Sequence, residues 1–197
     1  MNTITLSEGA GGRASRELEE SFIFPLLGGS GVNGNDASVL FSGRIAVSTD
    51  SFVVSPLFFP EKSIGALAAA GSINDVLTCG AAPRYLTCSL IIEEGFSKDS
   101  LKRILADLRS EADRAGVTVA AGDTKVVPRG QCDGLYINTA CIGLLEREPL
   151  SPQNISPGDA IIVTGYLGEH ESALIIGRNG LDVKGIVSDC AGLSGLI

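Results

Sequence analysis

One histidine, His170, in 197 residues excludes a His-rich metal site. With a single His, every Ser-His-Asp or Cys-His set would have to share it, and no such set stands out. Lys and Arg number 15 against 23 Asp and Glu, a formal charge of -8, so a basic surface for nucleic acid is excluded. Nucleotides stay open, because they arrive with Mg²⁺ and can be held by carboxylates. No apolar run approaches the roughly 18 residues that cross a bilayer. The stretches around 64–70 and 135–145 are short or broken by polar residues and Gly. The opening MNTITLSEGAGG has neither a basic start nor an apolar segment, so no leader is expected. The five cysteines (Cys79, Cys88, Cys132, Cys141, Cys190) contain no C-x-x-C pair. Several sit in apolar stretches such as "LTCSLII" and "NTACIGLL", which reads as reduced, buried thiols of a cytoplasmic protein with no membrane contact. There is no G-x-x-x-x-G-K-[ST], which excludes a P-loop enzyme.

What is present is a chain with 44% hydrophobic residues, enough for a core. "TITL" (3–6) reads as a short strand running into a Gly-rich loop. Residues 14–24 pattern as an amphipathic helix stopped by Pro25, and 28–36 as a turn-rich loop. "RIAVSTDS" (44–51), "RYLTCSLII" (84–92), "VTVAA" (117–121) and "GLYINTACIGLL" (134–145) read as strands. The small-sided run 63–80 is expected to pack closely against a sheet. Residues 97–116 hold the clearest helix, with Leu101, Ile104, Leu105, Leu108, Ala112 and Ala115 in 3-4 spacing, Ser97 as N-cap and Gly116 as stop. "SPQNISPGD" (151–159) looks like a linker, 160–168 the start of a new unit, and 169–178 the beginning of a helix. The residues after about 155 are too few for a core of their own. The expected class is α+β, a mixed α/β chain with a mixed sheet, divided into 1–150 and 151–197.

Four acids sit at apparent turns: Asp36 in "GNDAS", Asp50 in "VSTDS", Asp75 in "SINDV" and Asp123 in "AAGDTK". If the strand ends converge, four carboxylates meet at one edge of the sheet, where they repel unless a cation lies among them. Mg²⁺ takes a few carboxylates plus phosphate oxygens, and Lys125 would then contact a phosphate. Each Asp taken singly also reads as an ordinary turn former. "GAGGRA" (9–14) formally fits G-x-G-x-x-A, but the strand before it is very short, and a Gly/Asn-rich loop follows the helix where a dinucleotide site has a strand ending in an acid. A loop that folds over phosphates through backbone N–H groups fits it better. His170, between Glu169 and Glu171, has two readings: a general acid or base, or a helix-start residue without a role.

Taken in order, "LSEGAGG", "NDASV", "AVSTDSFVVSPLFFP", "GSINDVLTCGAAPRYL", "IIEEG", "GDTKVV", "INTACIG" and "VSDCAGL" resemble the hydrogenase-maturation HypE family. That family belongs to the superfamily of aminoimidazole ribonucleotide synthetase, selenophosphate synthetase and thiamine-monophosphate kinase. The resemblance implies an N-terminal ATP-binding and dimerisation domain whose mixed sheet, backed by helices, pairs with that of a second copy into a barrel across a homodimer. It implies ATP-dependent dehydration of an S-carbamoyl cysteine to a thiocyanate that supplies cyanide to the iron of [NiFe] hydrogenase. The partners it implies are a HypF-like carbamoyltransferase and a HypC–HypD-like scaffold. Carried over, Asp36, Asp50, Asp75 and Asp123 match the Mg²⁺/ATP acids, Asn74 and Lys125 sit beside the phosphates, and Gly9, Gly11 and Gly12 belong to a mobile loop. Asp75, Lys125 and His170 are the implied catalytic residues. His170 stands where the family has Gly-Asp-His, with Glu169 for the Asp and Glu171 where Gly is usual. The family's C-terminal Cys tail has no counterpart here, so a shortened form ending inside the second domain is expected, inactive alone. Two other readings remain: a non-catalytic dimerising scaffold, or another ATP-dependent member of the superfamily. A selenophosphate synthetase would carry a reactive Cys in the N-terminal loop, and "SEGAGGRAS" has none.

Overall fold

The structure, a computed structural model, describes residues 7, 12–23, 26, 37–40 and 44–196. The chain divides into two compact units, Met1–Asn35 and Asp36–Ile197. In the first, helix α1 (Gly12–Leu18) runs into a π-helical turn over Glu19–Ile23, so the amphipathic helix is present with a widened last turn. The strand expected at 3–6, the loop at 28–36, and the site candidates Gly9, Gly11 and Asp36 lie outside the described residues.

The second unit carries β1 (Ser38–Leu40), β2 (Ile45–Phe52), a small hairpin of β3 (Phe58–Phe59) and β4 (Lys62–Ser63), and helix α2 (Ile64–Thr78). These are followed by β5 (Ala82–Glu93), helix α3 (Lys98–Arg114), β6 (Thr118–Val127), β7 (Leu135–Leu144), a 3-10 turn (Pro152–Asn154) and helix α4 (Glu169–Asn179). Five strands form one sheet in the order β1-β2-β7-β5-β6. All pairs are antiparallel except β5–β6. A parallel pair needs a crossover, and α3 supplies it. The mixed sheet backed by helices is the expected α+β architecture.

Helix α2 explains its own composition. Ile64, Gly65, Ala66, Ala68, Ala69, Ala70, Ser72, Ile73, Val76 and Leu77 are all buried, against the sheet on one side and α3 on the other. Small side chains let the helix axis come close to both. At Gly143, on β7 beneath it, an added Cβ would lie 2.3 Å from Val76 Cγ1, so the strand is as bare as the helix there. The close packing expected of the 63–80 run is thus found.

Helix α3 follows its apolar stripe. Ile104 and Ala112 are fully buried, Leu108 nearly so, and Leu101 and Ala115 pack at the margin, while Leu105 reaches solvent. Burying an Ile or Leu side chain contributes about 1.5–3 kcal/mol. Ser97 Oγ accepts from the Ser100 N–H at 3.3 Å, and Gly116 just past the end has φ +68°. Both ends fall where the sequence places them. One buried residue of α3 is polar: the Glu111 carboxylate accepts from Lys62 Nζ at 2.5 Å and Arg114 Nη1 at 2.8 Å, tying the helix to β4.

After β7 the chain makes its 3-10 turn and then, over 160–168, neither helix nor strand. No helix among the described residues is long and apolar enough to cross a membrane.

Candidate functional site

Strand β2 carries Ser48 and Asp50, two apart and therefore on one face of the sheet. The burial of Ala46 and Ser48 identifies that face as the one under the helices. Helix α2 carries Ser72 and Asp75, three apart and therefore on one face of the helix. The two elements exchange hydrogen bonds. Ser48 Oγ donates to Asp75 Oδ2 at 2.7 Å, and Ser72 Oγ donates to Asp50 Oδ2 at 2.8 Å. Thr139 of β7, opposite Asp50 in the ladder, is fully buried behind them. Its Oγ1 lies 2.7 Å from Ser72 Oγ and 3.1 Å from the Ala68 carbonyl. Gly71 makes the approach possible, since a Cβ there would stand 2.7 Å from the Phe52 ring and 3.9 Å from Asp50 Oδ2.

Each acid thus accepts from a hydroxyl of the other element, and carboxylates that share a site repel unless a cation lies with them. A hydrogen bond to a charged group is worth about 1.5–3 kcal/mol. The donors are hard oxygens, the set Mg²⁺ prefers, and Mg²⁺ commonly takes one or two carboxylates with phosphate oxygens completing its shell. The residues therefore fit a magnesium–phosphate group. The charge of Asp75 is felt nearby: burial first, and then that carboxylate, push the Cys141 thiol up to about 12.

The turn reading of these acids is corrected. Asp50 lies inside β2, paired with Thr139, and Asp75 lies inside α2. The opening of a loop at residue 122 is corrected as well, because "GDTK" (122–125) continues β6 to Val127. Gly122 is accounted for by close approach, since a Cβ there would meet the Cys88 carbonyl oxygen at 2.7 Å. Register puts Asp123 beside Ser89 and Lys125 beside Ile91, alternating with Cys88 and Leu90, which are buried under the helices. Asp123 and Lys125 thus share the sheet's open face, opposite to Asp50 and Asp75. The expected meeting of four carboxylates at one edge is not formed within this chain. Among the described residues no three His, Cys, Asp or Glu side chains come close enough to hold an ion together.

Asn74 is engaged elsewhere than expected. Its Nδ2 donates to the Ala191 carbonyl at 2.9 Å and its Oδ1 accepts from the Leu193 N–H at 2.9 Å, clamping that segment onto α2. His170 opens α4. Its Nδ1 lies 2.9 Å from Ser188 Oγ, and its ring stands edge-on to Phe59 at 5.4 Å. These contacts join α4 to the β3 hairpin and the 188–190 segment, and neither partner belongs to the Asp50–Asp75 pair. Gly12, at the start of α1, has φ +75°. The cysteines are free, four buried and Cys190 half-buried. Burial raises Cys190 to about 11, with Lys62 opposing and Glu111 and Asp189 adding, so neither it nor Cys141 is a thiolate at neutral pH.

The sequence reading missed the three hydroxyls. Ser48, Ser72 and Thr139 are not singled out in it. The signal was there in the spacing, Ser two before Asp50 on a strand and Ser three before Asp75 on a helix.

Comparison with known proteins gives the family. Residues 34–145, more than half of the chain, match the family model of the AIR synthase related protein, N-terminal domain. The carbamoyl dehydratase HypE of Rhizobium leguminosarum bv. viciae is 44% identical over 98% of this chain and 57% of its own length. That of Escherichia coli K12 is 40% identical over 100% of this chain and 62% of its own. The chain therefore spans about three fifths of the length of these relatives. A solved HypE in complex with ATP is 42% identical, with TM-score 0.76, over 98% of this chain and 59% of that one. A HypE–HypF complex gives TM-score 0.84 at 42% identity, over 91% of this chain and 59% of that one. The fold extends to AaThiL complexed with AMPPCP and TMP, 20% identical with TM-score 0.71. The chain belongs to the AIR synthase related family, among whose members the HypE proteins share its sequence over nearly its whole length.

Proposed function

We propose that this chain forms the nucleotide-binding part of an ATP-dependent carbamoyl dehydratase of hydrogenase maturation. The observation that carries the reading is the Asp50–Asp75 pair, held by crossed seryl hydrogen bonds in a chain similar to a HypE solved with ATP. Asp50 and Asp75 would hold Mg²⁺, which would supply charge compensation for the phosphates. In the whole reaction, ATP activates the carboxamide oxygen of an S-carbamoyl cysteine, which leaves as phosphate and yields a thiocyanate for the [NiFe] hydrogenase iron. Cys141 and Cys190, whose thiols burial pushes up to about 12 and about 11, are poor candidates for the acceptor cysteine. A HypF-like carbamoyltransferase and a HypC–HypD-like scaffold are the partners, and five free cysteines suit a cytoplasmic setting.

Residues 1–150 are read as the ATP-binding and dimerising part, and 151–197 as a linker and the first portion of a second domain. The open sheet face exposes Tyr85, Ile91 and Leu144, and β6 is exposed along nearly all its length. A second copy covering that face as a homodimer would bury them and meet Asp123 and Lys125, which we assign to phosphate and cation contacts at the junction. His170 is kept as a proposed catalytic group only through motion away from Ser188.

Isothermal titration with ATP and Mg²⁺ tests the core of this. Saturable, Mg²⁺-dependent binding is expected, and its absence at millimolar nucleotide sinks the nucleotide reading and favours a scaffold. Sedimentation should give a dimer at micromolar concentration, and a monomer there removes the homodimer.

A further inference from the structure

We infer that Ser48 and Ser72 are positioning residues that set the spacing of the two cation-binding carboxylates, with Thr139 as their support; this rests on the reading of Asp50 and Asp75 as Mg²⁺ ligands. The argument is one of reciprocity. A strand and a helix can slide or rotate against each other, and two acids on different elements would then change their separation. Here each element contributes one acid and one hydroxyl, and each hydroxyl donates to the other element's acid, at 2.7 and 2.8 Å. A shift of α2 along β2 would stretch both bonds together. The exchange therefore acts as a two-point brace on the distance between carboxylates.

Thr139 supports Ser72 from behind. Ser72 and Thr139 carry one hydroxyl proton each. The Ser72 proton goes to the Asp50 carboxylate, so the one Thr139 proton serves both the Ser72 hydroxyl oxygen and the Ala68 carbonyl. Thr139 also stands 3.1 Å from the Ala68 carbonyl, one turn before Ser72, which holds it against the helix. All three hydroxyl-bearing residues are at most 4% exposed, so water does not stand in for a lost bond. The Oδ2 of each carboxylate accepts from a neutral hydroxyl. Groups that orient ligands in this way typically govern affinity by about 10–100-fold.

The test measures the Mg²⁺ concentration for half-maximal binding of a non-hydrolysable ATP analogue, by titration calorimetry. Ser48→Ala and Ser72→Ala should each raise it by ~10–100-fold, with maximal binding recovered at high Mg²⁺. Ser48→Thr keeps the hydroxyl and should restore the original requirement. Thr139→Val, one step removed, should move it less than Ser72→Ala. Far-UV circular dichroism and melting establish that each variant is folded. If Ser72→Ala fails to fold, Ser48→Ala decides alone, because the brace predicts the same loss from either end. A variant whose binding falls equally at all Mg²⁺ concentrations has lost structure and not spacing, which overturns the inference. Unchanged Mg²⁺ requirements in both serine variants, with Asp50→Asn impaired, overturn it while keeping the site. If the unsubstituted protein binds no analogue, the site reading itself fails.

Discussion

Asp75→Asn is expected to weaken Mg²⁺-dependent nucleotide binding by about 100-fold or more, the upper end of what residues merely orienting a ligand cost. The substitution is close to isosteric. An Asn oxygen can still accept from Ser48 Oγ, which now donates to Asp75 at 2.7 Å, so the strand–helix contact is retained. The charge alone disappears. Because the Ser48 contact is retained, the ligand-free melting temperature should hold. With ligand, the unsubstituted protein at a hundred times its Kd gains about 2.7 kcal/mol by mass action, and the variant at the same concentration gains little. Thermal melting with and without Mg²⁺ and ATP reads both quantities in one series. A variant that keeps the full ligand-induced shift would show that Asp75 holds no cation. One that melts early without ligand would show that its role is structural.

Gly65→Ala should destabilise the fold by about 3 kcal/mol, at the severe end of overpacking. Gly65 lies in the first turn of α2, where that helix crosses α3. A Cβ there would stand 2.0 Å from the Ile104 carbonyl oxygen and 2.8 Å from its carbonyl carbon. The obstacle is backbone inside a helix, so no rotamer change relieves it. The helices must separate, and Ile64, Ile104 and Leu108 lose contact with the core. Helix propensity works the other way, since Ala improves on Gly by about 1 kcal/mol, and the estimate is net of that gain. For a chain of this size the loss corresponds to a fall in melting temperature of roughly 6–12 °C. A melting temperature at or above that of the parent would mean that α2 and α3 do not cross as described.

Much of this fold is written in local patterns. The α3 stripe, its cap at Ser97 and its stop at Gly116 are set by residues within the helix, so the sequence suffices to place it. The strands β2, β5 and β7 are apolar runs with no other use. In the sequence β6 looks short because Gly122 and Asp123 carry turn chemistry, and only the ladder with β5 overrides that preference. A propensity is a local statement, whereas a ladder is formed with residues more than thirty positions away. The same limit governs the site. Asp50 and Asp75 are legible as acids in polar settings, but their partners lie on another element in each case. Asp123 and Asp50 both look like strand-end acids, and only register shows that they face opposite ways. Asn74, next to Asp75 in sequence, is spent on Ala191 and Leu193.

The stretch 160–168 has a colloidal consequence. Ile161 is 94% exposed, Ile162 84% and Leu167 89%, and no charge interrupts the run between Asp159 and Glu169. A β-branched, uncharged segment outside any sheet is a ready template for pairing with its copy in another molecule. A net charge of -8 spread over the rest of the surface keeps molecules apart at long range, but salt screens that repulsion within about 10 Å at 0.1 M. Taken alone, this chain should therefore associate through 160–168 more readily as salt rises.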